Sequence, residues 1–202
     1  LPFARLDALQ FGRGMMPGSV NANTAQARVA ITRDDQDAIA RLTVALGHRN
    51  GAVRMHARQL LVAIGSPAVD ALAELIADRN NLVRWEAAKT LGEIADARAA
   101  PALVRALEDS DADVRWLAAE GLVSMGRDGL PALLHALVQH PHALWLRSGA
   151  RHVLRGLRDR GLGDLVGPIL EAQEGVEPGL QVVRAAIKVL DRMQGGSKSA
   201  TG

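Results

Sequence analysis

Apolar residues recur along this chain at the spacing of a helix face, and the pattern itself repeats. Val53, Ala57 and Leu61 keep a four-residue step; so do Val83, Ala87 and Leu91, and then Val114, Ala118 and Leu122. In each copy Arg follows the Val, and Leu follows seven residues after that Arg. The segments are Val53-Arg54-Met55-His56-Ala57, Val83-Arg84-Trp85-Glu86-Ala87 and Val114-Arg115-Trp116-Leu117-Ala118. Weaker copies lie at Arg147-Ser148-Gly149-Ala150, with Leu154 in phase, and at Val183-Arg184-Ala185-Ala186. The Arg positions 54, 84, 115, 147 and 184 are separated by 30, 31, 32 and 37 residues. About thirty residues accommodate two short helices and their turns, so the spacing predicts stacked helix pairs.

The helices between the Val-Arg segments carry their own start signals. Ser66-Pro67 reads as an N-cap followed by Pro at the first helical position, running through Val69, Leu72, Leu75 and Ile76. Ala100-Pro101 and Leu130-Pro131 open equivalent helices, and Gly167-Pro168 a shorter one within Gly163–Glu171. Asp37–Leu46 completes the first pair, with Thr32 and Asp35 as a capping-box-like start. The expected organisation is an irregular N-terminal arm over 1–31, a repeat array of about five antiparallel helix pairs over 32–194, and a flexible tail over 195–202 (GGSKSATG).

Composition agrees with an all-α fold. Ala and Leu supply 63 of the 202 residues, and both favour helices. Aromatics are confined to Phe3, Phe11, Trp85, Trp116 and Trp145, too few for an ordinary sheet domain. Net charge is +2, and 21 of the 24 basic residues are Arg. That small excess is well below what a nucleic-acid-binding domain usually carries. The chain has no Cys, which excludes disulfides, thiolate metal sites and Cys nucleophiles. No apolar run reaches the length of a transmembrane helix, and Leu1–Gly14, with Arg5, Asp7 and Arg13, does not read as a secretory signal. A cytoplasmic protein is expected.

The order Val-Arg-x-x-Ala-Ala-x-x-Leu-Gly, then Ala-x-x-Ala-Leu, then Asp before the next Val-Arg, resembles the short HEAT-like repeat named after the phycobilisome lyases. Residues 83–122 match it best, and the resemblance spans about four-fifths of the chain, strongest at 49–140. It implies a HEAT-like α-solenoid in which the Val-Arg helices line a concave face. It also implies a ladder between repeats made by an Asp six residues before the Arg. Asp78/Arg84 and Asp109/Arg115 have that spacing, whereas His48, Pro141 and Pro178 stand in the other places. The scaffold hosts unrelated functions, so it specifies fold far better than activity.

On a helical wheel Val83, Ala87, Leu91 and Ile94 form the core stripe, and Trp85 falls nearly opposite. Trp116 and Met55 occupy the same repeat position, Trp145 also lies off the core arc, and Gln59, Lys89, Glu120 and His152 follow one turn on. One reading is a protein-binding groove with aromatic anchors, because Trp is enriched at interaction hot spots. The other is that the Trp rings pack between neighbouring repeats. Arg147, Arg151, Arg155 and Arg158 recur on a narrow arc, with Arg160 beyond them. They form either a grip for phosphates or an acidic protein surface, or a solvated flank.

No catalytic constellation is visible. His135, His140, His142 and His152 lack the spacing and the carboxylate of a ligand set, so no metal site is expected. No His is followed by Glu, which argues against the iron chemistry of the HEAT-like deoxyhypusine hydroxylases. Glu86 and Glu120 read as polar groove or rim residues. Gly12-Arg13-Gly14 and Gly161-Leu162-Gly163 read as turns rather than phosphate loops. The expectation is a scaffold without catalytic residues or cofactor, holding a protein or peptide in its groove. The alternatives are a chromophore-protein chaperone, implied by the lyase resemblance, and a HEAT-like nucleic-acid binder, similar in scaffold to the alkylpurine DNA glycosylases.

Overall fold

The computed structural model describes residues 33–175 and 178–198, so the arm over 1–31 and the Thr32 capping position lie outside the described residues. Ten α-helices and no strands occur among the described residues: α1 (Arg33–Ala45), α2 (Gly51–Ile64), α3 (Val69–Leu75), α4 (Asn81–Ile94), α5 (Ala100–Ala106), α6 (Ala112–Met125), α7 (Leu130–Gln139), α8 (Leu144–Leu157), α9 (Gly163–Glu174) and α10 (Pro178–Lys198). The fold is the all-α solenoid that the repeat predicts. No helix among the described residues is long and apolar enough to cross a membrane.

The helices form two layers. The Val-Arg helices stack in the order α2, α4, α6, α8, while α1, α3, α5 and α7 stack beside them. The core lies between the layers. Leu61, Leu91, Leu122 and Leu154, the Leu residues in phase with each Arg, are all buried there, together with Leu72, Leu103 and Leu133 from the other layer. Small residues on α8 let it approach the preceding repeat closely. A Cβ built on Gly149 of α8 would meet the Leu107 side chain at 2.8 Å, and one on Gly156 would meet Val123 at 2.8 Å.

Local chemistry repeats with the layers. Asn50, Asn80 and Asp111 cap α2, α4 and α6, each side chain accepting from the N–H two residues on, at 2.9, 3.0 and 2.9 Å. Pro101 and Pro131 sit at the first turns of α5 and α7, where their missing N–H costs nothing. Ser66 departs from its expected role. It lies inside a 3₁₀ turn, Ser66–Ala68, and makes no cap; its hydroxyl donates to the Asp96 carboxylate of the next repeat.

The inter-repeat ladder exists with a different wiring. Arg84 donates through NH1 to the carbonyls of Asp78 and Arg79, at 3.0 and 3.3 Å. Its Nε and NH2 reach forward to the carboxylate of Asp109 at 2.7 and 2.8 Å. Arg54 and Arg115 repeat the backward contact, to the carbonyls of His48 and Arg49 and of Asp109 and Ser110. The residue six before the Arg therefore serves its own Arg through the backbone, which is why His48 can stand there. The Asp109 carboxylate serves the preceding repeat.

The fifth pair is inverted. α9 packs against α8 and α10 against α7, so α9 rather than the Val183-Arg184 helix extends the Val-Arg layer. The first three Val-Arg helices end at a left-handed residue, Gly65, Ala95 or Gly126, eleven residues after the Arg. After α8 the break is delayed to Gly161, at φ 90°, within a kinked turn over Arg158–Leu162. Three more residues turn a helix by about 300° and advance it by about 4.5 Å, so the chain leaves in another direction. Pro168 then lies inside α9 instead of opening it, and α10 continues to Lys198, beyond the expected boundary at 194.

Candidate functional site

The three Trp residues divide. Trp116 and Trp145 are 57% and 56% exposed. Trp85 is half-buried and packs on the core, with the Lys89 ammonium 5.2 Å from its ring centroid. Met55 and Gln59 are exposed on α2. Trp85 therefore packs within the repeat stack, as one of the two sequence readings expects, while Trp116 and Trp145 face solvent.

Trp116 on α6 and Trp145 on α8 flank a depression of about 190 Å³, whose wall also includes Arg115, Ala119, Ser148 and His152. The Arg115 guanidinium lies 4.1 Å from the Trp145 ring centroid. This cation–π contact, with the two backbone acceptors behind Arg115, fixes the ring orientation. Ser148 occupies the repeat position held by Trp85 and Trp116 in earlier copies, and the small side chain leaves the space open.

A second depression of about 500 Å³ continues along the same two helices, lined by Glu120, Val123, Ser148, Arg151, His152, Arg155, Gly156, Asp159 and Arg160. His152 Nε2 and Glu120 Oε1 are 2.6 Å apart across it. Arg160 donates to the Val123 carbonyl at 3.1 Å. A third, of about 270 Å³, lies between α8 and α9 and is lined by Leu144, Arg147, Ser148, Arg151 and Gln173. Ser148 borders all three, so the Trp-lined and Arg-lined regions form one surface centred on α8.

The structure therefore joins two sets of residues that the sequence presents separately. Trp116, Glu120, Trp145 and His152 share this surface with Arg147, Arg151 and Arg155, while Met55, Gln59, Trp85 and Lys89 do not line it. Arg158, the last of the stripe, lines none of the three depressions and pairs with Asp159 at 3.4 Å. The sequence reading misses Arg115, Ser148 and Gln173. The first two are legible from alignment of the repeats; Gln173 lies on the helix whose layer changes, and no repeat position marks it.

Glu86 is corrected from rim to interior. It is 3% exposed and accepts from Arg54 Nε at 3.0 Å and Arg58 NH1 at 2.6 Å. It is a structural clamp between α2 and α4. The His cluster is dispersed as well: His135 and His140 line a depression between α5 and α7, and His142 stands against Gly179 of α10.

Comparison with known proteins agrees with this architecture. A family model described as HEAT repeats matches residues 69–155. Among solved structures, a chain from the complex of CpcE and CpcF of phycocyanin lyase from Nostoc sp. PCC7120 is 27% identical, with 75% of this chain and 99% of that chain covered and a TM-score of 0.53. An engineered protein is 19% identical over 75% of this chain and 77% of its own, at a TM-score of 0.37, too low to bear on the fold. No curated protein matches the chain in sequence. Residues 69–155 carry HEAT repeats, and the solenoid is similar to that of the phycocyanin lyase chain.

Proposed function

We propose that this protein is a scaffold that holds a partner protein on the α6/α8 surface, with Trp116 and Trp145 as the anchors. The observation that carries the reading is their shared exposure. In a chain with five aromatic residues, two large rings stand in solvent on adjacent helices, flanking one depression. Exposed Trp at the centre of a surface with polar surroundings is what an interface hot spot requires. The test is affinity capture from the source lysate with wild type and with Trp116→Ala/Trp145→Ala, after matching their helicity. A protein retained by wild type and lost by the double variant supports the reading; equal capture by both removes the two rings from the interface.

A second reading is a chaperone for a chromophore-carrying protein. It is favoured by the similarity to the phycocyanin lyase chain, which extends over 99% of that chain. Co-expression with a bilin and a phycobiliprotein tests it. Visible absorbance on the acceptor protein that depends on this chain supports the chaperone role, and its absence counts against it.

A further inference from the structure

We infer that the α8 surface takes an acidic, extended segment of the partner, with a carboxylate on Arg147 and Arg151 and a backbone amide on Gln173. The inference deepens the scaffold reading and rests on it for the occupant being a protein. Two independent observations lead to it.

The first is charge without a counter-charge. Among the described residues no carboxylate lies within ion-pair distance of Arg147 or Arg151, although both side chains are partly buried. Arg155, one turn on, has only Glu174 at 3.9 Å. Arg151 instead makes a long bond, 3.5 Å, from NH2 to the Gln173 carbonyl. A guanidinium held this loosely is free to swing onto an incoming carboxylate, which it can bind in bidentate fashion.

The second is Gln173. It is 5% exposed, lines the depression between α8 and α9, and neither its side-chain nitrogen nor its oxygen has a hydrogen-bond partner. Burying an amide with both ends unpaired is unfavourable, and such groups in folded proteins call for an explanation. A ligand that satisfies Gln173 must supply an acceptor for Nε2 and a donor for Oε1. A peptide unit supplies both, through its carbonyl and its N–H. A phosphodiester offers acceptors alone and leaves Oε1 orphaned. The Gln173 end atoms are shielded from solvent, so the segment reaches them only as a neighbouring side chain moves, and Arg151 is the loosely held neighbour. Moving Arg151 onto the carboxylate releases its bond to the Gln173 carbonyl, beside the unpaired amide.

The probes are a capped peptide of alternating Glu and Leu, its Gln-for-Glu counterpart, and a backbone N-methylated form of the Glu peptide. Binding to the full chain is followed by fluorescence anisotropy. The Gln173 side-chain amide signal, assigned by its loss in Gln173→Met, is followed by ¹⁵N–¹H correlation. The Glu peptide is expected to bind about tenfold or more tightly than the other two and to move the Gln173 signal. Arg147→Gln/Arg151→Gln should abolish the preference for Glu. Gln173→Met should weaken the Glu peptide several-fold while leaving thermal stability unchanged or raised, the opposite of what a merely structural role predicts. Absence of peptide binding, equal affinity for the Glu and Gln peptides, or an unmoved Gln173 signal would overturn the inference. So would tighter binding of single-stranded oligothymidylate at the same Arg pair. If capture of a partner still depends on Trp116 and Trp145 in that event, the scaffold reading stands and this inference alone fails. If the Glu peptide behaves as expected while capture ignores the Trp residues, the anchors fail and the acidic site stands.

Discussion

Gly92 on α4 and Gly121 on α6 face one another so closely that a Cβ on Gly92 would lie 2.9 Å from the Gly121 Cα. A Cβ on Gly121 would in turn lie 2.8 Å from Leu103 Cδ1 and 3.1 Å from the Gly92 Cα. Backbone meets backbone here, so neither side can yield by rotating a side chain. Gly121→Ala is expected to destabilise by about 1–3 kcal/mol through overpacking, despite the roughly 1 kcal/mol that Ala gains over Gly in a helix. Gly167 of α9 is the control. Nothing lies within 4 Å of its Cβ position, so Gly167→Ala should be neutral or stabilise by up to about 1 kcal/mol. Urea unfolding of both variants measures the contrast, and equal effects would contradict the close α4–α6 approach.

The Arg84–Asp109 pair predicts a pH dependence. Burial works to raise the Asp109 carboxyl, but the Arg84 hydrogen bond and the Asp111 N–H outweigh it and hold the group below the ordinary carboxylate range. A depressed native pKa means that the unfolded chain binds the proton more readily. The stabilisation is present above the unfolded value of about 3.9 and is lost as pH falls through the native one. Asp109→Asn should lower stability by about 1–3 kcal/mol at neutral pH. It should also flatten the acid limb of a stability profile taken between neutrality and pH ~3. Some slope should survive, because Asp96 and Asp111 are held low as well, by Ser66 and Arg98 and by Asn81 and the Asp113 N–H.

Glu86 should be one of the most sensitive polar positions in the chain. Removing it leaves Arg54 and Arg58, which are 20% and 15% exposed, without the carboxylate that holds α2 against α4. Glu86→Ala is expected to cost about 3–5 kcal/mol, the range for breaking a buried ion pair. Glu120→Ala, on the exposed surface, should cost less than about 1 kcal/mol. Thermal unfolding of the two variants checks the difference.

The core was legible because repetition supplies an internal alignment. Leu61, Leu91, Leu122 and Leu154 share a repeat position, and burial follows it without exception. The same alignment contains the answer for Glu86, which stands where Leu117 stands in the next copy, at a buried position. A wheel drawn on one helix places Glu86 beside Trp85 and suggests a rim, because it omits the neighbouring helix that supplies two guanidinium groups. The layer exchange of α9 and α10 was not legible. It arises from a three-residue delay of a left-handed turn, and Val183-Arg184 keeps the repeat motif while occupying the other layer. Half of the candidate site follows from this: Gln173 faces Arg147 only because α9 took the place expected of α10.

The three Trp residues should separate in stability as they do in exposure. A common repeat position suggests that Trp85→Ala costs little stability, yet the Trp85 ring packs on the core beneath Lys89. Its loss is expected to cost about 2 kcal/mol, part of the roughly 3–5 kcal/mol typical of a fully buried aromatic. Trp116→Ala removes a ring that already faces water and should stay within about 0.5 kcal/mol. Trp145→Ala should cost slightly more, up to about 1 kcal/mol, because it also releases the Arg115 contact. Urea unfolding followed by circular dichroism gives the order Trp85 > Trp145 > Trp116. The reverse order would place the outer rings in the core and leave the α6/α8 surface without its anchors. If the predicted order holds, loss of partner capture by the outer two variants cannot be ascribed to unfolding.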